Sequence, residues 1–190
     1  GGITREAANR IAFNGSDGVY MTLDFGLTGR HNRVLGNVIF ENGGLGINLR
    51  AEEPTTNDPG DADRGPNNLQ NFPEIAAATV GPNEWKVAYR VPSHPTNSSY
   101  PLRVEFFKAD RDAQEGQTFL GFDIFTASDF AQGVKTIALT SAVALANGDR
   151  IVATATDFFS GFGQPRPEPT PTRPMRDFKY GTYDGYQFYL

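Results

Sequence analysis

The sequence repeats itself near its beginning, and this repeat constrains the fold more than any other feature. The stretch from Asn9 to Met21 aligns with the stretch from Asn37 to Leu49 at a constant offset of 28 residues. The identical or similar positions pair Asn9 with Asn37, Ile11 with Ile39, Asn14 with Asn42, Gly15 with Gly43, Gly18 with Gly46 and Val19 with Ile47. Each copy is typical of a short strand, an Asn-Gly turn and a second short strand.

We interpret the two copies as coils that lie on one another. Such a unit cannot bury its apolar side chains alone, whereas stacked units can do so. In a stack, Asn can hydrogen-bond to the Asn of the neighbouring coil, and both Asn and Gly tolerate the left-handed conformation of a tight corner. The alternative is two ordinary hairpins with Asn-Gly turns. Several matches at one spacing favour stacking over hairpins.

The repeat resembles the right-handed parallel β-helix of secreted bacterial proteins, whose coils follow roughly N-x-I-x-x-N-G-x-x-G-I-x-L. The resemblance covers residues 9–50 and assigns residues 1–53 to the end of such a helix. Solenoids need about three repeats and a cap, so we expect further coils upstream. The chain begins with Gly1 and shows no signal peptide, and we therefore expect a fragment whose export signal lies upstream.

An acidic junction follows at residues 54–75. From Asn57 to Pro73 it reads N-D-P-G-D-A-D-R-G-P-N-N-L-Q-N-F-P. Hard oxygen ligands at alternating positions are what Ca²⁺ requires. The alternative is a solvated linker that Leu69 and Phe72 anchor to the next domain. The pattern predicts a Ca²⁺ site formed by Asp58, Asp61 and Asp63, with Asn57 and Asn67 in support.

The junction also carries a family resemblance. It is similar to a boundary segment of the form N-D-x-x-D-x-D-x-G-P-N-x-L-Q-N-F-P, which follows β-helix repeats in many large bacterial surface proteins. In that family an immunoglobulin-like domain often comes next. The resemblance therefore implies such a domain at residues 76–157 and an extracellular or cell-surface location.

Alternating apolar and polar residues after Pro73 predict strands. One inward face holds Trp85, Val87, Tyr89 and Val91, and another holds Leu102, Val104 and Phe106, with Arg103 and Glu105 on its opposite side. Further strands are predicted around 119–126, 134–140 and 150–156, the last one after a turn at 147–149. Several short strands between turns are typical of a β-sandwich, so we predict an all-β fold.

Residues 158–190 combine a Pro-rich segment with an aromatic tail. Prolines at 165, 167, 169, 171 and 174 favour an extended polyproline II spacer. We predict that the tail adds as a strand to a sheet edge, through Tyr183, Tyr186, Phe188 and Leu190. The receiving edge belongs either to a neighbouring copy, which would build a filament, or to the tail's own domain.

Composition limits the partners of the chain. The net charge is −5 and the 17 basic residues form no cluster, which argues against nucleic acid and anionic membrane surfaces. No apolar run approaches the roughly 20 residues that span a bilayer. The absence of cysteine excludes disulfides and thiolate chemistry.

The repeat shows no catalytic pattern. Hydrolases of polysaccharides use paired carboxylates, but Asp17 and Asp24 align with Leu45 and Glu52. We therefore predict a non-enzymatic structural or adhesive module of a secreted bacterial surface protein or extracellular filament, with copies of itself or other surface proteins as partners. The alternatives are a carbohydrate-binding module and the C-terminal part of a polysaccharide-degrading enzyme. A glycan would contact exposed aromatic residues such as Tyr100, Phe107 or Phe122.

Overall fold

The computed structural model describes residues 2–4, 7–22, 32–49, 55–81, 84–140 and 142–157, together with the backbone of residues 178–179 and 188–189. This part of the chain is mostly β-strand, with a short α-helix, α1, at Ala127–Gln132 and a 3₁₀ turn at Pro66–Leu69. The prediction of an all-β fold is confirmed. Among the described residues, no helix is long and apolar enough to cross a membrane.

The strands fall into short ones near the beginning, long ones in the centre and two short pieces near the end. They are β1 Arg10–Ala12, β2 Val19–Tyr20, β3 Val38–Phe40, β4 Ile47–Asn48, β5 Glu74–Val80, β6 Trp85–Arg90, β7 Leu102–Ala109, β8 Gly116–Phe125, β9 Lys135–Leu139, β10 Arg150–Asp157, β11 Phe178–Lys179 and β12 Phe188–Tyr189. The predicted strands after Pro73 correspond to β6 to β10, whereas β5 was not predicted.

The two copies of the repeat lie on one another. β1 pairs with β3 and β2 pairs with β4, and both pairings are parallel. Arg10 opposes Val38 and Val19 opposes Ile47, which is the register that the sequence offset predicts. Separate hairpins would have given antiparallel pairs within each copy. Each copy is therefore one coil of a two-coil stack.

The corner of each coil differs from the expectation. Positive φ angles occur at Phe13, 60°, and at Glu41, 50°, and not at the Asn and Gly residues that follow them. Gly43 has another role, because a Cβ atom there would lie 2.8 Å from the carbonyl oxygen of Gly15. Glycine at this position permits the close approach of the two coils.

Two antiparallel sheets follow the junction and face each other across a common core. One sheet has the strand order β5-β6-β9, and the other contains the order β10-β7-β8. Trp85 and Val87 of the first sheet pack with Phe106 and Ile151 of the second. Trp85 is 2% exposed and its ring lies 5.7 Å from that of Phe106 in an edge-on arrangement. The predicted inward faces of β6 and β7 are confirmed.

The opposite face of β7 is not solvated, in contrast to what its alternating pattern implies. Arg103 is 4% exposed and Glu105 is 0% exposed. The reason is that the second coil lies on this face, where the backbone amide of Gly36 donates to Glu105 Oε2 at 2.8 Å. Strand β7 is thus buried on both sides.

Helix α1 was also not predicted. Its first residue follows Thr126, whose hydroxyl accepts from the backbone N–H of Asp129 at 3.2 Å, while the Asp129 carboxylate accepts from the Thr126 backbone at 2.7 Å. This reciprocal capping box stabilises the start of a helix. The sequence contains its signal, Thr-Ala-Ser-Asp, but no apolar periodicity accompanies the signal.

The described pieces of the tail pair with the edge of the second sheet in the same chain. β11 and β12 both pair antiparallel with β10, at Ala155–Thr156 and at Arg150–Ile151. The sequence left two receiving edges open, one in a neighbouring copy and one in the tail's own domain. The edge at β10 is the one in the tail's own domain. Tyr183, Tyr186 and Leu190 lie outside the described residues, and Phe188 is described only as backbone of β12.

Candidate functional site

The junction brings its three aspartates together. Asp58, Asp61 and Asp63 each contribute a carboxylate oxygen to a cluster in which these oxygens lie within 4.8 Å of one another. Ca²⁺ binds oxygen at about 2.3–2.6 Å, so ligands on opposite sides of one ion lie up to about 5 Å apart. The spacing of the cluster therefore fits Ca²⁺.

A left-handed turn builds this cluster. Gly60 has a φ of 76° and Asp61 has a φ of 64°, which reverses the chain between the outer aspartates. Asp58 fixes the turn, because its Oδ2 accepts from the backbone N–H of Ala62 at 2.8 Å. The Asp-Pro-Gly-Asp sequence thus provides both the turn and its carboxylates.

Two residues outside the predicted set hold the cluster against the sandwich. Asn71 donates from its backbone N–H to Asp61 Oδ1 at 2.8 Å, and Ser98 donates its hydroxyl to Asp61 Oδ2 at 2.5 Å. The side chain of Asn71 also donates to the carbonyl oxygens of Asp58 and Pro92, both at 2.8 Å. Asn71 belongs to the Gln-Asn-Phe-Pro end of the junction, which therefore contributes to the site.

One oxygen of the cluster lacks a hydrogen-bond donor. Asp58 Oδ1 is buried and accepts no hydrogen bond in the part of the chain that the structure describes. A buried carboxylate oxygen without a partner loses its hydration and receives nothing in exchange. A cation between the three carboxylates would compensate this loss, so the residues fit a bound metal ion.

The two asparagines predicted to support the site have other bonds. Asn57 pairs with the backbone of Phe72, accepting from its N–H at 2.8 Å and donating to its carbonyl at 3.0 Å. Asn67 pairs in the same way with Asn32, at 3.2 Å and 3.0 Å. Both amide oxygens therefore already accept a hydrogen bond, and the cluster of carboxylates consists of the three aspartates.

A second polar cluster joins the coils to the sandwich. Asn14 donates from its backbone N–H and from its side chain to Asn42 Oδ1, at 3.1 Å and 2.8 Å. Asn42 donates from the same two groups to the carboxylate of Glu115, at 2.8 Å and 2.7 Å. Glu115 thus takes the position that an Asn of a following coil would occupy. We refer to this chain of bonds, Asn14–Asn42–Glu115, as the ladder.

Two further carboxylates of the sandwich accept backbone amides of the second coil. Glu105 accepts from Gly36, as described above, and Asp110 Oδ2 accepts from Glu41 at 3.1 Å. Glu105 also bonds to the Nε of Arg103 at 2.8 Å, so its buried charge is paired. The sandwich therefore satisfies backbone donors that the last coil would otherwise leave open.

Burial raises the pKa of Glu115 above its ordinary value. The two hydrogen bonds from Asn42 oppose this shift, because they favour the ionised carboxylate. The neighbouring Asp110 reinforces it through a hydrogen bond and through charge repulsion. The net result is a carboxyl group at the coil–sandwich contact that holds its proton more tightly than in water.

A groove of about 550 Å³ lies between the first residues of the chain, the outer face of β8 and the segment after β9. Phe122 lines it and is 44% exposed, and the Arg103 guanidinium lies 3.7 Å from the centre of its ring. Phe107 is buried against Phe119 instead, so it is not an exposed aromatic residue as expected. Tyr100 is partly buried and donates its hydroxyl to Ser93.

The carboxylate of Asp17 has a structural role within the coils. It accepts from the backbone N–H of Leu45 at 2.7 Å and from the side chain of Asn48 at 2.9 Å. Asp24, the other carboxylate considered for catalysis, lies outside the described residues.

Comparison of the chain with protein-family models, with curated proteins and with solved structures finds no match.

Proposed function

We propose that this chain is a non-catalytic structural or adhesive module of a secreted bacterial surface protein, in which an immunoglobulin-like sandwich terminates a parallel β-helix. The ladder is the observation that carries the proposal. Because Glu115 takes the place of an Asn in a next coil, the sandwich accepts the Asn42 amide at the end of the stack. A module of this design holds two domains in one fixed orientation.

Burial at the contact supports a rigid joint. Glu105 and Glu115 are 0% and 1% exposed, although each carries a carboxylate. Separating the coils from the sandwich would return these groups to water but would also break the bonds to Gly36 and Asn42. Taking the hydrogen-bond partner away from a buried carboxylate costs free energy, so the contact resists hinge motion. Resistance to bending is useful in a protein that transmits force or displays a binding domain.

The order of the strands supports the immunoglobulin-like assignment. In that fold one sheet contains strands A, B and E and the other contains C, F and G. The order β5-β6-β9 corresponds to the first set, and the order β7-β10-β11 corresponds to the second. We propose this correspondence for residues 76–157 together with the returning strand β11.

The aspartate cluster is proposed to bind Ca²⁺ through Asp58, Asp61 and Asp63. Asn71 and Ser98 would orient Asp61, and the ion would balance the charges that the turn brings together. Extracellular modules bind Ca²⁺ with dissociation constants of about 10⁻⁴–10⁻³ M. A site with few carboxylates suits that range, and it would stiffen the junction where the protein is exported.

A second candidate function is glycan binding in the groove. Phe122 supports it, because an exposed aromatic ring beside an arginine offers a sugar both an apolar face and hydrogen-bond donors. Under this proposal the partner is a polysaccharide rather than another copy of the chain. Binding of purified glycans that Phe122→Ala abolishes would favour it over the purely structural role.

Nuclear magnetic relaxation tests the structural proposal. Amides of the coils, such as Gly43, and of the sandwich, such as Val87, should report the same tumbling time in the intact chain. Glu105→Ala combined with Glu115→Ala should separate the two times. Glu84→Ala, which removes an exposed carboxylate from the sandwich, serves as the control and should leave them equal. Independent tumbling in the unaltered chain, or turnover of a polysaccharide, would contradict the proposal.

A further inference from the structure

We propose that Asn147 is a site of spontaneous chemical modification, at which the side-chain amide is lost and aspartate or isoaspartate forms. Asn147 and Gly148 occupy the turn that leads into β10. The reactants are these two residues and water, and the by-product is ammonia. The inference goes beyond the proposed structural role, because it concerns a change in the covalent structure of the chain.

The reaction joins the backbone nitrogen of Gly148 to the side chain of Asn147. The nitrogen gives its proton to hydroxide and attacks Cγ, which closes a five-membered imide ring. The bond from Cγ to Nδ2 breaks, and the amide group takes a proton from water and leaves as ammonia. Water then opens the ring, at Cγ to give aspartate or at the backbone carbonyl carbon to give isoaspartate. Glycine favours the attack because it has no Cβ atom beside the nitrogen.

The turn before β10 leaves both reacting groups open. Asn147 and Gly148 are exposed. Within the described residues, neither the Asn147 side chain nor the Gly148 N–H makes a hydrogen bond. A Cβ atom at Gly148 would find nothing within 4 Å, so no neighbouring group crowds the turn. Its hydrogen bonds lie at its ends, where the N–H of Asp149 donates to the carbonyl oxygen of Ala146 at 3.1 Å.

The sequence contains Asn-Gly three times, and the copy at Asn42–Gly43 is held by its neighbours. Asn42 Oδ1 accepts two bonds from Asn14, and Asn42 Nδ2 donates to Glu115 at 2.7 Å. The nitrogen of Gly43 donates to the carbonyl oxygen of Asn14 at 2.8 Å. Ring closure there would break the bonds of the attacking nitrogen and of the leaving amide. The ladder therefore protects Asn42 from this reaction.

The copy at Asn14–Gly15 is intermediate. The N–H of Gly15 makes no hydrogen bond in the part of the chain that the structure describes. The leaving group is held, however, because Asn14 Nδ2 donates to Asn42 Oδ1 at 2.8 Å. Its loss would place a carboxylate oxygen against that acceptor. The contacts thus order the three sites by reactivity, with Asn147 first, Asn14 second and Asn42 last.

Isoaspartate at position 147 would alter the start of β10. It adds one carbon atom to the main chain inside the turn, so the Asp149 N–H and the Ala146 carbonyl lose their present spacing. The next residue, Arg150, pairs with Tyr189 of β12. The modification therefore acts beside the place where the tail joins the sheet.

Peptide mapping by mass spectrometry during incubation in mildly alkaline buffer tests the proposal. In the folded chain, Asn147 should convert at least about tenfold faster than Asn42, because several hydrogen bonds must first break at Asn42. In urea the three rates should become similar, since glycine follows each asparagine. The purified isoaspartate form should lose hydrogen-exchange protection at the Asp149 amide. Asn147→Gln is the matched control, because its longer side chain would need a six-membered ring, and position 147 should stay unmodified.

Two results would overturn the proposal. One is an Asn147 that converts no faster than Asn42 in the folded chain. The other is an Asn14 that converts faster than Asn147, because the hydrogen bond of its leaving group would then offer no protection. Both rates are measured without reference to the orientation of the coils and the sandwich, so the relaxation experiment tests the proposed function separately.

Discussion

Glu115 receives from Asn42 the same two donors that Asn42 receives from Asn14. The bonds to Glu115 measure 2.8 Å and 2.7 Å, and those to Asn42 measure 3.1 Å and 2.8 Å. A glutamate from the loop before β8 therefore continues a pattern that the repeat itself begins. The carboxylate offers one oxygen to each donor, whereas Asn42 uses a single oxygen for both.

Truncation of Glu115 is expected to destabilise the chain strongly. Glu115→Ala removes the acceptor of two Asn42 donors at a partly buried contact, although the side-chain donor also bonds to the carbonyl oxygens of Ile11 and Phe40. Each such loss at a fully buried group costs about 1–3 kcal/mol, so for two partly buried donors we expect the free energy of unfolding to fall by about 1–4 kcal/mol in urea titrations. Glu84→Ala is the control, because its ion pair with Lys86 is exposed and should contribute below about 1 kcal/mol. Equal effects of the two variants would contradict the role of Glu115.

The stability contributed by Glu115 should decrease as the pH rises. Burial raises the pKa of Glu115 above 4.5, so the folded chain retains a proton that the unfolded chain has lost. Its contribution is complete below about pH 4.5 and declines as the pH passes through the raised value. Glu115→Gln does not titrate, and the difference in unfolding free energy between the unaltered chain and this variant should shrink above pH 4.5.

Urea unfolding of both proteins between pH 4 and pH 8 measures this difference. Asp129 does not disturb the comparison. Burial alone would raise its pKa, but the bonds from Thr126 and Lys135 outweigh burial and lower it below 3.8. Its effect on stability therefore lies at more acidic pH and is common to both proteins. A difference that stays constant or grows with pH would show that Glu115 is not the group responsible.

Ca²⁺ should raise the melting temperature of the chain, and Asp58→Asn should abolish this response. A ligand present at a hundred times its dissociation constant stabilises the folded state by about 2.7 kcal/mol. With a chelator present, Asp58→Asn should be neutral or stabilising, because it removes one of three clustered charges. Asp112→Asn, at an exposed aspartate outside the cluster, should respond to Ca²⁺ like the unaltered chain. An unaltered chain that does not respond to about 10–100 mM Ca²⁺, a hundred times the proposed dissociation constants, would exclude the site.

Deletion of residues 177–190 should promote association of the chain. Because β11 and β12 pair with β10, their removal exposes the backbone of that strand as a free sheet edge. We expect the intact chain to remain monomeric in light scattering and the shortened chain to aggregate and to melt at a lower temperature. Assemblies of the intact chain that the deletion dissolves would show that the tail docks between copies instead.

The sequence predicted best where a pattern is local or repeats. The offset between the two copies specified the register of Arg10 with Val38, and the alternation in β6 specified that Trp85 is buried. The sequence predicted burial poorly where the coil, a third layer beside the two sheets, covers the outer face of a strand. Arg103 and Glu105 alternate with apolar residues as on a solvated face, but the coil that covers them comes from a distant part of the chain. No strand pattern contains that information.

The same distinction applies to the candidate sites. The three aspartates lie within six residues of one another, and their convergence follows from the turn at Gly60. Asn42 and Glu115 are 73 residues apart, and the repeat that marks Asn42 does not indicate Glu115 as its partner. The sequence predicts that Asn57 and Asn67 support the metal, because amide oxygens can be ligands. In the structure both side chains bond to backbone groups, those of Phe72 and of Asn32. Polar residues at a domain junction are assigned reliably only when their partners are known.

The direction of the ladder has an electrical consequence for Glu115. Every donor in it points towards the sandwich, so the amide dipoles are aligned and each one polarises the next. The positive end of this row faces the carboxylate. This alignment favours the ionised carboxylate and opposes the burial that raises its pKa.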